Sequence, residues 1–169
     1  AAIAWGEQAD RARVAAAAAP IAIAPATWGW IAFLSGLNVL GFEILGLHLF
    51  SQVLHNSTYT FTTVLVVVIG ALAVGPLVTQ RWQLEPAAVL HRTALALAAT
   101  ALASALVPRL FVAVTRGMEP LGGGAPSLGA YVLRILGTAG LVLGPAFVLS
   151  GWVVPLVLAG AGLAGEGTA

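Results

Sequence analysis

Residues 28 to 54 read WGWIAFLSGLNVLGFEILGLHLFSQVL, apolar throughout except for Asn38, Glu43, His48, Gln52 and two serines. At 1.5 Å per residue such a run, coiled as a helix, crosses a hydrocarbon core of about 30 Å. The first transmembrane span is therefore placed at 29–54.

The neighbouring text repeats this pattern. His55-Asn56-Ser57-Thr58 is a polar break rich in helix-capping residues. It is followed by a second span over 59–80 that holds the unbroken run Val64 to Ile69. Arg81 to Pro86 makes a charged turn, and a third span covers 87–107. Pro108 and Arg109 are expected to end it, with Leu110 to Val114 prolonging it along the interface. Residues 115–127 form a loop rich in glycine and proline, closed by Ser127 as a cap. The last apolar stretch, 128–163, would measure about 50 Å as one helix. It is expected either to be one long helix bent at Pro145 and Pro155, or to part into two near Ser150-Gly151. Residues 1–28 form an Ala-rich arm holding Trp5, read either as an interfacial helix or as a solvated arm, and 166–169 a short tail. The expected fold is all-α: a polytopic membrane bundle over 29–165 with four transmembrane helices.

Composition agrees with this placement. Of 169 residues 60% are hydrophobic and 8% charged, against about 25% charged in a soluble domain, and mean hydropathy is +1.00. A net charge of +1 provides no basic patch, so nucleic acid is not expected as a partner. The expected partners are the lipid bilayer and other membrane helices or subunits. The absence of cysteine excludes disulfides, thiolate metal sites and cysteine nucleophiles. Arg11, Arg13, Arg81 and Arg92 flank one side of the spans, against Arg109 and Arg116 on the other. By the positive-inside rule the N-terminus is expected in the cytoplasm, with the chain in a bacterial inner membrane.

Polar residues inside the spans are the candidate binding groups. Glu43 lies near the middle of the first span, where an ionised acid of comparable size costs about 2.5–3.5 kcal/mol on insertion scales. It requires a proton, a partner or a water-filled cavity; it is either a proton- or cation-coupled site or a hydrogen-bonded staple between helices. Asn38 shares the span. His48, Gln52 and His55 recur at i, i+4 and i+7 and form a stripe roughly opposite Glu43. Two imidazoles and an amide make a poor ligand set, so no metal or other cofactor is expected. Asn56, Ser57 and Thr58 either cap the second helix or line a polar mouth. Arg134 either snorkels or pairs with Glu43. Gly140 and Gly144 form a GxxxG pair, extended by Gly137 and Gly151, with Ala71 and Gly75 a weaker counterpart. These serve helix packing, unless Pro145 and Pro155 break the helix and free carbonyls along a substrate path.

Several stretches resemble a known family. Phe33-Leu34-Ser35-Gly36, Phe42-Glu43-Ile44, His55-Asn56-Ser57-Thr58-Tyr59-Thr60-Phe61 and Gly70-Ala71-Leu72-Ala73-Val74-Gly75 look like the opening helices of the membrane-embedded spermidine-synthase-like proteins. Gly144-Pro145-Ala146-Phe147 and Gly151-Trp152-Val153-Val154-Pro155-Leu156 look like a later helix of that family. The match covers most of 31–81 and 141–157, and departs from the pattern at Gly46, His48, His55 and Ser150. The resemblance implies a transporter-like membrane domain that binds or moves a small cationic or amphiphilic metabolite, with Glu43 sensing its charge. The family's aminopropyltransferase-like domain is outside this stretch. No paired acids or Ser/His dyad at helical spacing appear, so catalysis is not expected of this chain. The alternative is a non-catalytic accessory subunit of a respiratory or photosynthetic membrane complex.

Overall fold

The structure is a computed structural model that describes residues 24–54, 58–79, 81, 86–121, 125 and 127–166. Most of the N-terminal arm, with Trp5, and His55, Asn56, Ser57 and the last three residues lie outside that set. The described chain forms helices α1 (Pro25–Val53), α2 (Thr58–Thr79), α3 (Pro86–Val114) and α4 (Leu128–Glu166). All four are long and apolar enough to cross a bilayer, and the protein is an all-α, polytopic integral membrane protein.

The helix ends follow from local chemistry. α1 opens on Pro25, whose fixed φ and missing N–H suit the first helical position, four residues before the first large apolar run predicts. α3 runs past Pro108 to Val114 without a break, beyond the expected end at residue 107. A proline there removes only its own bond to the Ser104 carbonyl, and an apolar sequence in a bilayer has no other way to satisfy its backbone. The helix stops where Thr115, Arg116, Gly117 and Met118 take over. The Gly117 N–H donates to Val112 O at 2.9 Å, Thr115 Oγ1 accepts the Met118 N–H, and residues 116 to 118 all have positive φ, a left-handed exit that is cheapest for the central glycine. Ser127 caps α4 through the Ala130 N–H at 3.2 Å. α4 then continues as one helix through Pro145 and Pro155.

α4 is the axis of the bundle. Half of its most apolar stretch is buried, against 6% for α1, and α1, α2 and α3 each pack on it while α1 and α2 barely touch. α1 runs antiparallel to α4, with Trp28 against Gly160 and Gly46 against Leu143, and the Phe42 ring 5.6 Å from Phe147. α3 is antiparallel to α4 as well. Val107 and Phe111 join the cluster around Ile135 and Ala139, while Val89 and Ala96 join that around Leu156 and Val157. α2 runs parallel to α4, its Val64 and Val68 packing near the N-terminal half of α4 and its Gly75 meeting Gly151. At one end Leu121 ties the bundle together: its N–H donates to Val53 O at 2.9 Å, and its carbonyl accepts from Arg134 Nη1 at 3.2 Å.

Among the described glycines, the closest approach of one backbone to another is at the α2–α4 crossing. A Cβ placed on Gly75 would stand 2.6 Å from Val148 O and 2.7 Å from Gly151 Cα, and one on Gly151 would stand 2.6 Å from Leu72 O. The two backbones are in direct contact, which only glycine permits. Gly144 and Gly140 lie seven and eleven residues before Gly151, on the same stripe of α4. A Cβ on either meets nothing within 4 Å, so the GxxxG pair is not where the helices touch. Gly140→Ala and Gly144→Ala are accordingly expected to leave stability unchanged or raise it, by about 0.5–1 kcal/mol each from the better helix propensity of alanine. Equilibrium unfolding in mixed micelles checks this, and a clear loss of stability would show that this stripe packs tightly after all.

Candidate functional site

Ala32, Gly36, Val39 and Glu43 follow one another at steps of four, three and four residues, so they stand in one line along α1. The first three line a groove closed on its other sides by Leu72 and Pro76 of α2 and by Ser150, Gly151, Val153, Val154, Val157 and Leu158 of α4; Ser35 also lines it. Its volume is about 380 Å³, within the range of small-molecule sites. Ala32, Gly36, Val154 and Leu158 are exposed, so the groove opens sideways, toward lipid. Glu43 stands one turn beyond Val39, roughly 16 Å along α1 from Ala32.

The lining is apolar, with a small polar component. The hydroxyls of Ser35 and Ser150 are its polar side chains, and Ser150 Oγ donates to Ala146 O at 2.8 Å, leaving its lone pairs available. Two backbone acceptors add to these. Pro76 has no N–H to offer the Leu72 carbonyl and Pro155 none to offer the Gly151 carbonyl, and Leu72 and Gly151 both line the groove. Gly151, which meets Gly75 of α2, is itself part of the lining. Thus carbonyls are freed without a break in either helix, and Pro76, which the sequence does not advertise, contributes as much as Pro155.

Glu43 is half-buried and makes no hydrogen bond or ion pair among the described residues. Arg134 is not beside it. The Phe42–Phe147 and Gly46–Leu143 contacts set Glu43 level with about residue 146 of α4, twelve residues from Arg134, which is about 18 Å along the axis. The Arg134 guanidinium instead serves the loop at Leu121. The acid thus stands in line with the groove-lining residues of α1, with no cation paired to it among the described residues.

The other candidate residues are not gathered at the groove. Asn38, His48 and Gln52 are exposed on the outer side of α1, where the His48 carbonyl accepts from Ser51 Oγ at 2.7 Å. Thr58 is exposed at the start of α2, its carbonyl accepting from Thr62 Oγ1; Asn56 and Ser57 are outside the described residues. Pro145 is exposed and does not line the groove. Among the described residues no three His, Asp or Glu side chains are placed to hold a metal. Thr100 Oγ1 and Ser104 Oγ are buried in α3 without a hydrogen-bond partner among the described residues. No motif marks them, and only the packed bundle reveals them.

Comparison with family models, with curated proteins and with solved structures finds no match to this chain.

Proposed function

We propose that this chain is a membrane-embedded binding module, of the kind the spermidine-synthase-like resemblance implies, that takes a lipophilic cation into the α1–α2–α4 groove with Glu43 as its counter-charge. The observation that carries this reading is the continuity of Glu43 with the groove lining on α1, together with its lack of a partner among the described residues. An apolar groove favours a hydrophobic body. An acid at its inner end, with Leu72 and Gly151 and their carbonyls in the lining, favours a positive charge over a neutral or anionic one. The proposed setting is a bacterial inner membrane with the N-terminus in the cytoplasm. That orientation rests on Arg11, Arg13, Arg81 and Arg92 against Arg109, Arg116 and Arg134, the last now placed at the loop end.

The test is a titration of tetraphenylphosphonium into the protein in nanodiscs of neutral lipid, beside an uncharged tetraphenyl analogue. Glu43→Gln keeps the size and hydrogen-bonding capacity of the side chain and removes its charge. It is expected to weaken cation binding at least about tenfold, the effect of one well-placed ionic contact, while binding of the neutral analogue is unchanged. Equal affinity of the two proteins for the cation would end this reading.

A second reading, an accessory subunit of a larger respiratory or photosynthetic assembly, draws on one observation: α1 buries only 6% of its most apolar stretch in the bundle. Stoichiometric copurification with other membrane subunits would favour it.

A further inference from the structure

α1 carries a second line of residues, on the side away from the groove. Leu34, Asn38, Gly41, Leu45, His48 and Gln52 succeed one another at alternating steps of four and three residues. This is the repeat that keeps one seam of a helix turned toward a partner helix. All six are exposed, Leu34 and Leu45 at 57% and 49%, and a Cβ on Gly41 would meet nothing within 4 Å. The seam holds every amide and imidazole side chain of α1, and Glu43 lies roughly opposite it. Asn38 is near the midpoint of the helix, where hydrocarbon offers no hydrogen-bond partner. None of its side-chain bonding is met among the described residues.

We infer that a second copy of this chain packs on this seam, α1 against α1 and parallel, about a two-fold axis along the membrane normal. Copies inserted with the same topology are related by rotation about that normal. The rotation sets their α1 helices parallel and brings each residue opposite its own counterpart. An amide has both donors and an acceptor, so Asn38 meets Asn38 and Gln52 meets Gln52 with each group satisfied by its twin. The two amides are fourteen residues apart, two full heptads, so one register pairs both. Leu45 fills the seam between the amides and Leu34 the turn before Asn38, and Gly41 lets the backbones approach. An unrelated helix would need matching polar groups at the same spacing, which a second copy has by construction. The seam is separate from the groove, and the inference does not rest on what the groove binds.

These 169 residues hold no cysteine, so single-cysteine variants report one position each. In liposomes at high dilution, treated with a lipid-permeable copper–phenanthroline oxidant, Leu34→Cys and Leu45→Cys are expected to form disulfide dimers within minutes. Leu40→Cys, 60% exposed but off the seam, is expected to remain at the level of random encounter. In single-molecule photobleaching, Asn38→Leu with Gln52→Leu is expected to weaken dimerisation about tenfold or more, the scale set by loss of interhelical hydrogen bonds, with helical circular dichroism unchanged. Cross-linking of Leu40→Cys as fast as of the seam variants, or single copies at every dilution, would overturn the inference. So would cross-linking of Leu45→Cys to a different copurifying protein in place of its twin.

Discussion

Gly75→Ala is expected to destabilise the bundle by about 3 kcal/mol, the upper part of the range for an overpacked core. The added methyl would meet Val148 O at 2.6 Å and Gly151 Cα at 2.7 Å. These are backbone atoms in the middle of a long helix, so no side-chain rotation relieves the clash, and α2 and α4 must move apart. Separation also removes the packing of Val64, Val68 and Ala71 on the inner cluster. Gly151→Ala meets Leu72 O at the same distance and should cost a similar amount. The double variant should cost much less than the sum, because one displacement accommodates both methyls. Reversible unfolding in mixed micelles measures all three; a Gly75→Ala protein within 0.5 kcal/mol of the parent would mean that the two helices do not cross at these glycines.

Phe147→Ala is expected to cost about 3–5 kcal/mol, as for other large-to-small changes at buried aromatic positions. Phe147 is 1% exposed and its ring lies 5.6 Å from that of Phe42. In a bilayer the loss comes from forfeited contact and the cavity left behind, since lipid is as apolar as the site. The consequence falls mainly on α1, which packs less on α4 than α2 or α3 does and whose contacts include Trp28 at Gly160, Phe42 at Phe147, Gly46 at Leu143 and Phe50 against Phe111 at 5.2 Å. Unfolding should then lose its single transition and show α1 leaving first. One cooperative transition at the original midpoint would count against this role for Phe147.

The spans themselves were legible because a bilayer demands length and apolarity in a continuous run, and residues 28–54 declare both. At Pro108 the text reads as an end with Leu110 to Val114 as a prolongation, because the rule that proline closes a helix comes from water, where a freed carbonyl finds solvent; the helix runs on unbroken to Val114. The central place of α4 could not be read in advance. When outside and inside are equally apolar, a helix carries no polar face to reveal its orientation, and Leu141 at 57% exposure is chemically the same as Leu143 at none.

The close crossing was partly visible. Gly140 and Gly144 advertise a packing motif, yet contact requires a small residue on both helices at the same height. Among the described glycines only Gly75 with Gly151 meets that condition. Glu43 was legible as an isolated acid, but the groove was not, because its lining is pooled from three helices and its extra acceptors come from prolines four residues downstream of the carbonyls they release.

The arrangement of three helices around α4 also bears on how the protein is made. α4 is the last of the four to leave the ribosome, and α1, α2 and α3 each pack chiefly on it rather than on one another. The first three therefore lack their main packing surface, and the backbone at Gly75 stays uncovered, until α4 is inserted. Interruption of synthesis before residue 128 would leave them inserted but unassembled, ready substrates for membrane proteases.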